Sequence, residues 1–533
     1  MNLSQAEDLG QSVQAVRPLQ IGGVPLVYPI LSGLDVRQTT NRLVASEADI
    51  DLGRVVELLV LNRLLSPQPV YQIQDWLGKT VLPEKLGIRP EQAYDNRLGR
   101  ALDRLYPHLG ELWACLVSSA IQTYELELNV LHWDITSIYF EGEYAHSELA
   151  AYGYSRDHRP DSKQINLEVD VSHDGYVPLL YHTLAGNTAD ITRPLPHLRA
   201  LEHFLTRPEL ADRGLRPVLV SDGKMVTPEA VLAYHRHRVF YLGPLPNGKA
   251  TTALLRAVSA EELAKHSLAY RPKRVKADDS TFVPYQGVWR SYTFTHDSEQ
   301  VTDRALVVWS AGKQRLDEQK RKTYLKRLLN GLEAIQKKLN TRRYKKRAYV
   351  EQRLSKLQKG SPVQGLVDIE LTGVDEALAL TFRINRQQLD EAQALDGRYA
   401  LATNAAHLDA TATLTLFKGQ DGVEKRFRAI KGPLLIHPLF VRSDRRIEGL
   451  IFISLVALLV RAILERVCRQ RGISMTADRL FRTFSSLQAV DLVWSDGSVQ
   501  RRAAEMTNSQ AQVLHTLDWP APATYAQPTS FPR

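Results

Sequence analysis

Two periodicities divide this chain. From Ala45 to about Thr123 apolar residues recur every three to four positions. The pattern is clearest in DLGRVVELLVLNRLLS, where Leu52, Val55, Val56, Leu59, Val60 and Leu64 fall on one helical face. Pro67 stops that helix. PVYQIQDWL and PEQAYDNRLGRALDRLYPHL predict two more short helices, with Pro90 in a first turn and Arg97, Arg100 and Arg104 along one side. Near Leu128 the period changes to two, and NVLHWDITSIYFEG, KQINLEVDVS and YVPLLYHTLAG read as three strands, with turn signals at Asp174-Gly175 and Gly186-Asn187.

A helix over about 192–205, the apolar strand RPVLVSD, a helix opening at Pro228 and the strand VFYLGPL come next. Three antiparallel strands leading into alternating helix and strand is the order of a ribonuclease-H-like core, so an α/β fold with a mixed sheet flanked by helices is expected. From 246 to 395 the pattern shifts to strand-like pieces around FVPYQGVWRSYTFTHD and RALVVWSAG, a basic helix pair, and strands again, which predicts an insertion domain. The core resumes at DGRYALATN and runs through VEKRFRAIK to the apolar helix IEGLIFISLVALLVRAILERV. The expected domains are an N-terminal helical, DNA-end-binding region (1–125), the core in two parts (126–245 and 396–475), the insertion (246–395), a C-terminal region (476–518) and a Pro-rich disordered tail (519–533).

An apolar content of 44% suffices for several cores in 533 residues. The apolar stretch Gly449–Val460 is too short to span a bilayer, and MNLSQAEDLGQS lacks the order of a signal peptide, so no membrane partner is expected. Cys115 and Cys468 match no zinc or redox spacing, which fits a reducing cytoplasm. Charge is more informative. Between Lys313 and Lys359 stand 17 Lys and Arg against 4 Asp and Glu, a net of +13 that exceeds the whole chain's +9 and leaves the remainder at −4. Such concentration points to a polyanion partner, with a solvated helix face as the competing reading.

Three acids stand out against this background. Asp134 lies mid-strand, where a buried charge is costly without a metal or cation beside it. Asp222 ends an apolar strand at its carboxyl edge, where α/β sheets place ligands, although turn formation would also put an aspartate there. Glu424 sits on a helix whose Phe427 and Ile430 would face the sheet, with Arg428 one turn on and Lys431 two turns along on the carboxylate's side. On spacing alone, the Glu424–Lys431 pair is one of many a surface helix offers.

The segments HWDITSIYFEG, YGYSRDHRPDSKQINLEV, LAGNTAD, VLVSDGKM, DGRYALATN and VEKRFRAIKGPLLIHPLFVRSDRRIEGLIFISLVALLV resemble the transposases of insertion-sequence family four, in particular the subgroup called sixteen-thirty-four, over roughly residues 40–475. That resemblance implies a ribonuclease-H-like core whose Asp134, Asp222 and Glu424 hold two Mg²⁺ ions, with Mn²⁺ substituting. It implies cutting of double-stranded DNA at terminal inverted repeats, joining to target DNA through a hairpin intermediate, and a homodimer on paired ends at the nucleoid. Lys431 falls on the signature lysine. Phe417 and Gln420 stand where the family has a phosphate-holding tyrosine and arginine, and Lys418, Lys425, Arg426 and Arg428 are the basic residues near enough to take over. Arg156, His158, Arg159 and Lys163 are expected at DNA phosphates, and Trp289 and Trp309 are candidates for stacking a flipped base, against plain packing of a small sheet. Two other readings compete: a protein that occupies repeat ends without cutting, and a structure-specific nuclease.

Overall fold

The computed structural model describes residues 13–157, 159–276, 278–434 and 443–526. Its strands are β1 (Val13–Gln20), β2 (Val130–Tyr139), β3 (Gln164–Ser172), β4 (Pro178–Ala185), β5 (Val218–Val220), β6 (Phe240–Pro244), β7 (Gln286–His296), β8 (Glu299–Trp309), β9 (Val367–Thr372), β10 (Ala379–Ile384), β11 (Arg398–Thr403), β12 (Gln488–Trp494) and β13 (Val499–Ala503). The fold is mixed α/β. The chain forms two compact units, one of Met1–Val220 with Gly419–Arg533 and one of Ser221–Lys418.

In the first unit four strands run in the order β4-β3-β2-β5. β2 pairs antiparallel with β3, β3 antiparallel with β4, and β2 parallel with β5. This is the strand order expected of a ribonuclease-H-like core, with the helix Pro194–Leu205 between β4 and β5. Every residue of β3 is buried even though Gln164, Asn166, Glu168, Asp170 and Ser172 alternate with its apolar positions. Both faces are therefore covered, and the polar one must be satisfied internally.

The helix Asp444–Gln470 packs against the helices Val24–Gly33, Leu52–Leu65 and Asp95–Leu105 and against β4. It is long and apolar enough to cross a membrane, but 94% of its most apolar window is buried inside the fold, so its apolar surface is covered by the chain itself. The helix Leu52–Leu65 starts where the Asp51 side chain accepts from the Arg54 amide, and it is buried almost all round. Residues 13–20, which show no period, form β1 because β12 supplies its partner from the far end of the chain. The tail is ordered further than expected. A short helix, Ala523–Ala526, buries Tyr525, whose ring meets Tyr28 at 6.0 Å. The end of the tail, 527–533, lies outside the described residues.

In the second unit four strands run in the order β6-β11-β8-β7, each pair antiparallel. The ladder binds β6 and β11, expected in the core halves, to the inserted strands, so this unit runs from Ser221 to Lys418 rather than from 246 to 395. The helices Ala311–Gln336 and Arg347–Gln358 pack together on the β9–β10 hairpin, with a separate small core around Leu328, Leu332, Val350 and Leu354.

Candidate active site

On β2, alternation sends His132, Asp134 and Thr136 to one face and Trp133 and Ile135 to the other. Asp134 is half-buried, and its Oδ1 accepts from the Ile135 amide at 2.8 Å. The parallel pairing of β2 with β5 joins Val130 to Val218, Leu131 to Leu219 and His132 to Val220, a constant offset of 88 residues. The same offset separates Asp134 from Asp222, which stands two residues beyond β5. Asp222 is half-buried, and its Oδ1 accepts from the Lys224 amide at 3.0 Å, the local bond of an Asx turn.

The helix Asp421–Lys431 packs against β2 and begins three residues before Glu424, which is exposed in its first turn. Phe427 and Ile430 are buried beneath it, as the period predicts, and Glu424 and Arg428 face solvent. Three contacts pin this helix. Gln420, its N-cap residue, donates to the Trp133 carbonyl at 2.8 Å, and its Oε1 lies 3.0 Å from His132 Nδ1. That carbonyl-type oxygen can only accept, so His132 carries its proton on Nδ1 and accepts at Nε2 from His173, 2.9 Å away. Burial pushes the His132 imidazole down to about 4, with His173 adding to the effect against the Gln420 bond. Next, Gly422 lies against the Tyr176 ring so closely that a Cβ would stand 2.0 Å from it. Last, buried Arg426 donates to the Tyr176 and Gly175 carbonyls (2.9 and 2.6 Å) and to Glu465 (2.7 Å). Burial lowers its guanidinium below the usual arginine range, and Glu465 opposes that.

The expected DNA contacts fall in varied surroundings. Lys431 is tied to Asp157 at 2.8 Å, and Arg428 is exposed, 3.9 Å from Asp421. Arg156 pairs with Asp190 at 2.6 Å, and its amide donates to Ser137. Arg159 pairs with Asp161 at 3.3 Å and covers the Tyr139 ring, and Lys163 donates to the Tyr144 carbonyl. His158 lies outside the described residues. In the second unit Phe417 meets Tyr399 at 6.3 Å, with the Lys418 ammonium 5.7 Å from its ring. The Arg304 guanidinium covers Trp289 at 3.8 Å, so one ring face is already taken, whereas half-buried Trp309 ends β8 opposite Arg398 and Gln286.

A network missed by sequence reading lies on the opposite face of β3. Glu168 accepts from Trp133 Nε1 (3.2 Å) and from Arg193 (2.8 Å), with His182 Nδ1 at 3.2 Å. Burial alone would raise its carboxyl, but His182, Arg193 and His197 bring it down to about 2. Both Asp170 oxygens lie within 3.0 Å of His197 Nε2, and the His197 ring stacks on Trp133 at 3.8 Å. The polar alternation in QINLEVDVS, on a strand apolar enough to be central, was the signal for it.

Carboxylate oxygens are the donors a hard divalent cation prefers, and Asp134, Asp222 and Glu424 fit that chemistry. Among the described residues, however, no three His, Cys, Asp or Glu side chains form a close metal-holding group.

A family model described as "Domain of unknown function (DUF4277)" matches residues 17–114. No curated protein matches the chain. Among solved structures, the chain is similar to a piggyBac transposase synaptic complex with hairpin DNA, at 8% identity and a TM-score of 0.39 over 89% of this chain and 82% of that one. A pre-cleavage Mos1 transpososome matches at 18% identity and a TM-score of 0.17, and a Mos1 paired-end complex with the left transposon end at 16% and 0.16. Each Mos1 match covers 38% of this chain and 60% of the Mos1 chain.

Proposed function

We propose that this chain is a DNA transposase that cuts at the terminal repeats of a mobile element and joins the freed ends to target DNA, passing through a hairpin. The placement of β2 carries the reading: Asp134 lies mid-strand on β2, and β5, the strand that leads into Asp222, pairs parallel beside it. Glu424, in the first turn of a helix packed on β2, is the third acid. These three would hold Mg²⁺ or Mn²⁺, and two such ions, when bound, supply an activated water and a stabilised leaving oxygen.

The chain's own groups set the rest. Gln420 and His132 hold the Glu424 helix against β2, so the phosphate contact that the resemblance assigns to an arginine falls here to exposed Arg428, while Lys425 is paired with Asp421 at 2.7 Å. Lys431, tethered to Asp157, would reach DNA only by exchanging that carboxylate for a phosphate. Paired element ends call for two copies of the chain.

A second reading, a repeat-binding protein that does not cut, is favoured by one observation: no three acids form a close metal-holding group among the described residues. The two separate in one assay. Purified protein is incubated with a duplex bearing the inverted repeats that flank its gene, in Mg²⁺ and in Mn²⁺. Nicking by wild type is expected to fall in Asp134→Asn by more than the roughly 10- to 100-fold that loss of an outer-shell metal partner costs. Equal cutting by both proteins would discard the metal site, and tight repeat-specific binding without any product would establish the second reading.

A further inference from the structure

The helix Asp95–Leu105 buries Leu98, Ala101, Leu102 and Leu105 and turns Arg97, Arg100 and Arg104 outward, at the i, i+3 and i+7 positions of one face. Those three arginines line a cleft of about 230 Å³, closed on its other side by residues 46–50 and the first turn of the helix Leu52–Leu65. Its floor is apolar, from Ile50, Leu52, Val55 and Ala101. Arg97 meets Asp49 at 2.6 Å, and Asp49 also accepts from Gln92 at 3.2 Å. The other two guanidiniums bond only to neutral oxygens: Arg100 donates to the Tyr94 hydroxyl (3.2 Å) and Arg104 to the Ser46 hydroxyl (2.9 Å). Neither has a carboxylate partner among the described residues.

We infer that this cleft is a phosphodiester-backbone site for a DNA strand. Three arginines against one aspartate leave a net charge of +2, with most guanidinium donors of Arg100 and Arg104 unused, which calls for an anion that takes several hydrogen bonds. The volume falls below the roughly 300 Å³ at which small-molecule sites begin, so it suits a phosphate and part of its sugar better than a whole nucleotide. From Arg97 to Arg104 the helix rises about 10 Å, close to the advance of three nucleotides along a duplex axis at about 3.4 Å each, so the phosphate in the cleft and its neighbours on the strand come within reach of the three guanidiniums. Apolar side chains beneath the arginines would meet the sugar carbons. Asp49 occupies Arg97 until a phosphate displaces it.

The inference rests on the DNA reading above for the identity of the anion but not on catalysis, so its test is run on the full chain in EDTA. Labelled duplexes, one with the repeat end and one unrelated, are titrated by fluorescence anisotropy across a series of salt concentrations. For Arg100→Gln/Arg104→Gln, the slope of log affinity against log salt is expected to be shallower by about 2, with both duplexes weakened alike and the melting temperature unchanged. Arg100→Lys/Arg104→Lys should recover most of the slope, and Asp49→Asn, which frees Arg97, should bind DNA more tightly than wild type. An unchanged slope in the Gln variant overturns the inference. So does protection from melting by inorganic phosphate or a nucleoside monophosphate that the Gln variant loses while its DNA slope stays intact, since that marks a small-anion site. Wild type that binds as expected in EDTA yet never nicks when Mg²⁺ or Mn²⁺ is supplied would leave the cleft standing and remove the active-site reading alone.

Discussion

Glu57 shows how far a single side chain can stand from its ordinary chemistry. It lies within the helix Leu52–Leu65 at 5% exposure, and its Oε2 is buried without a hydrogen-bond partner. Burial pushes its carboxyl up to about 7; Arg37, Lys85 and Arg54 pull against that while Asp51 adds to it. The folded state therefore keeps a proton that the unfolded chain, titrating near 4.5, gives up. The contribution is fully present below about 4.5 and is lost as pH rises through 7, amounting to about 3 kcal/mol across that window. Glu57→Gln holds the neutral shape at every pH, so the denaturation free energy of the variant relative to wild type should rise by that amount from pH 5 to pH 8. A constant difference would mean that Glu57 is ionised in the fold. Gln420 makes a related point. The family resemblance leads one to expect an arginine there, but the Gln420 amide is spent on His132 and the Trp133 carbonyl, an assignment that needs both elements in contact and that no local pattern encodes.

The Glu424 helix is placed as much by a small residue as by charged ones. Gly422 lies against the Tyr176 ring with no room for a Cβ, and Tyr176 itself sits at φ 54, in the turn between β3 and β4. Gly422→Ala should cost about 1–3 kcal/mol through overpacking and shift the helix that carries Glu424, and Tyr176→Ala in the same chain should recover part of that stability. Chemical denaturation of the single and double variants reads the coupling, and additive effects would show that the contact is relieved at no cost. At this scale much was legible. β2, β3 and β4 follow their alternation, and the burial of Phe427 and Ile430 follows the helical period, because each pattern is local. What escaped needed a distant partner: β1 forms on β12, more than 460 residues away, and the Glu168–Asp170–His197 network closes only when the helix Pro194–Leu205 covers β3. The unit boundary at Ser221 escaped for the same reason, since β6 and β11 are assigned by a ladder rather than by composition.

Across the whole molecule, charge is distributed in a way that the ion pairs sharpen. Within 313–359, Lys313, Arg321, Lys322, Lys345, Lys346 and Arg347 each pair with a carboxylate. Arg315, Lys320 and Lys326, by contrast, are exposed on the helix Ala311–Gln336 with no carboxylate partner among the described residues. Paired cations contribute little outward field, whereas unpaired ones keep their full attraction for a polyanion. The small core beneath them, with Leu328 and Leu332 from that helix and Val350 and Leu354 from its partner, does not depend on these three side chains. Replacing Arg315, Lys320 and Lys326 together by Gln should therefore move stability by no more than about 0.5 kcal/mol per site, the usual range for surface changes. If each cation neutralises a phosphate, the salt slope of DNA binding should become shallower by about 3, equally for repeat-bearing and unrelated duplexes. Anisotropy across a salt series measures the slope and thermal melting the stability. An unaltered slope with intact melting would show that this face of the basic helix is solvated and makes no DNA contact.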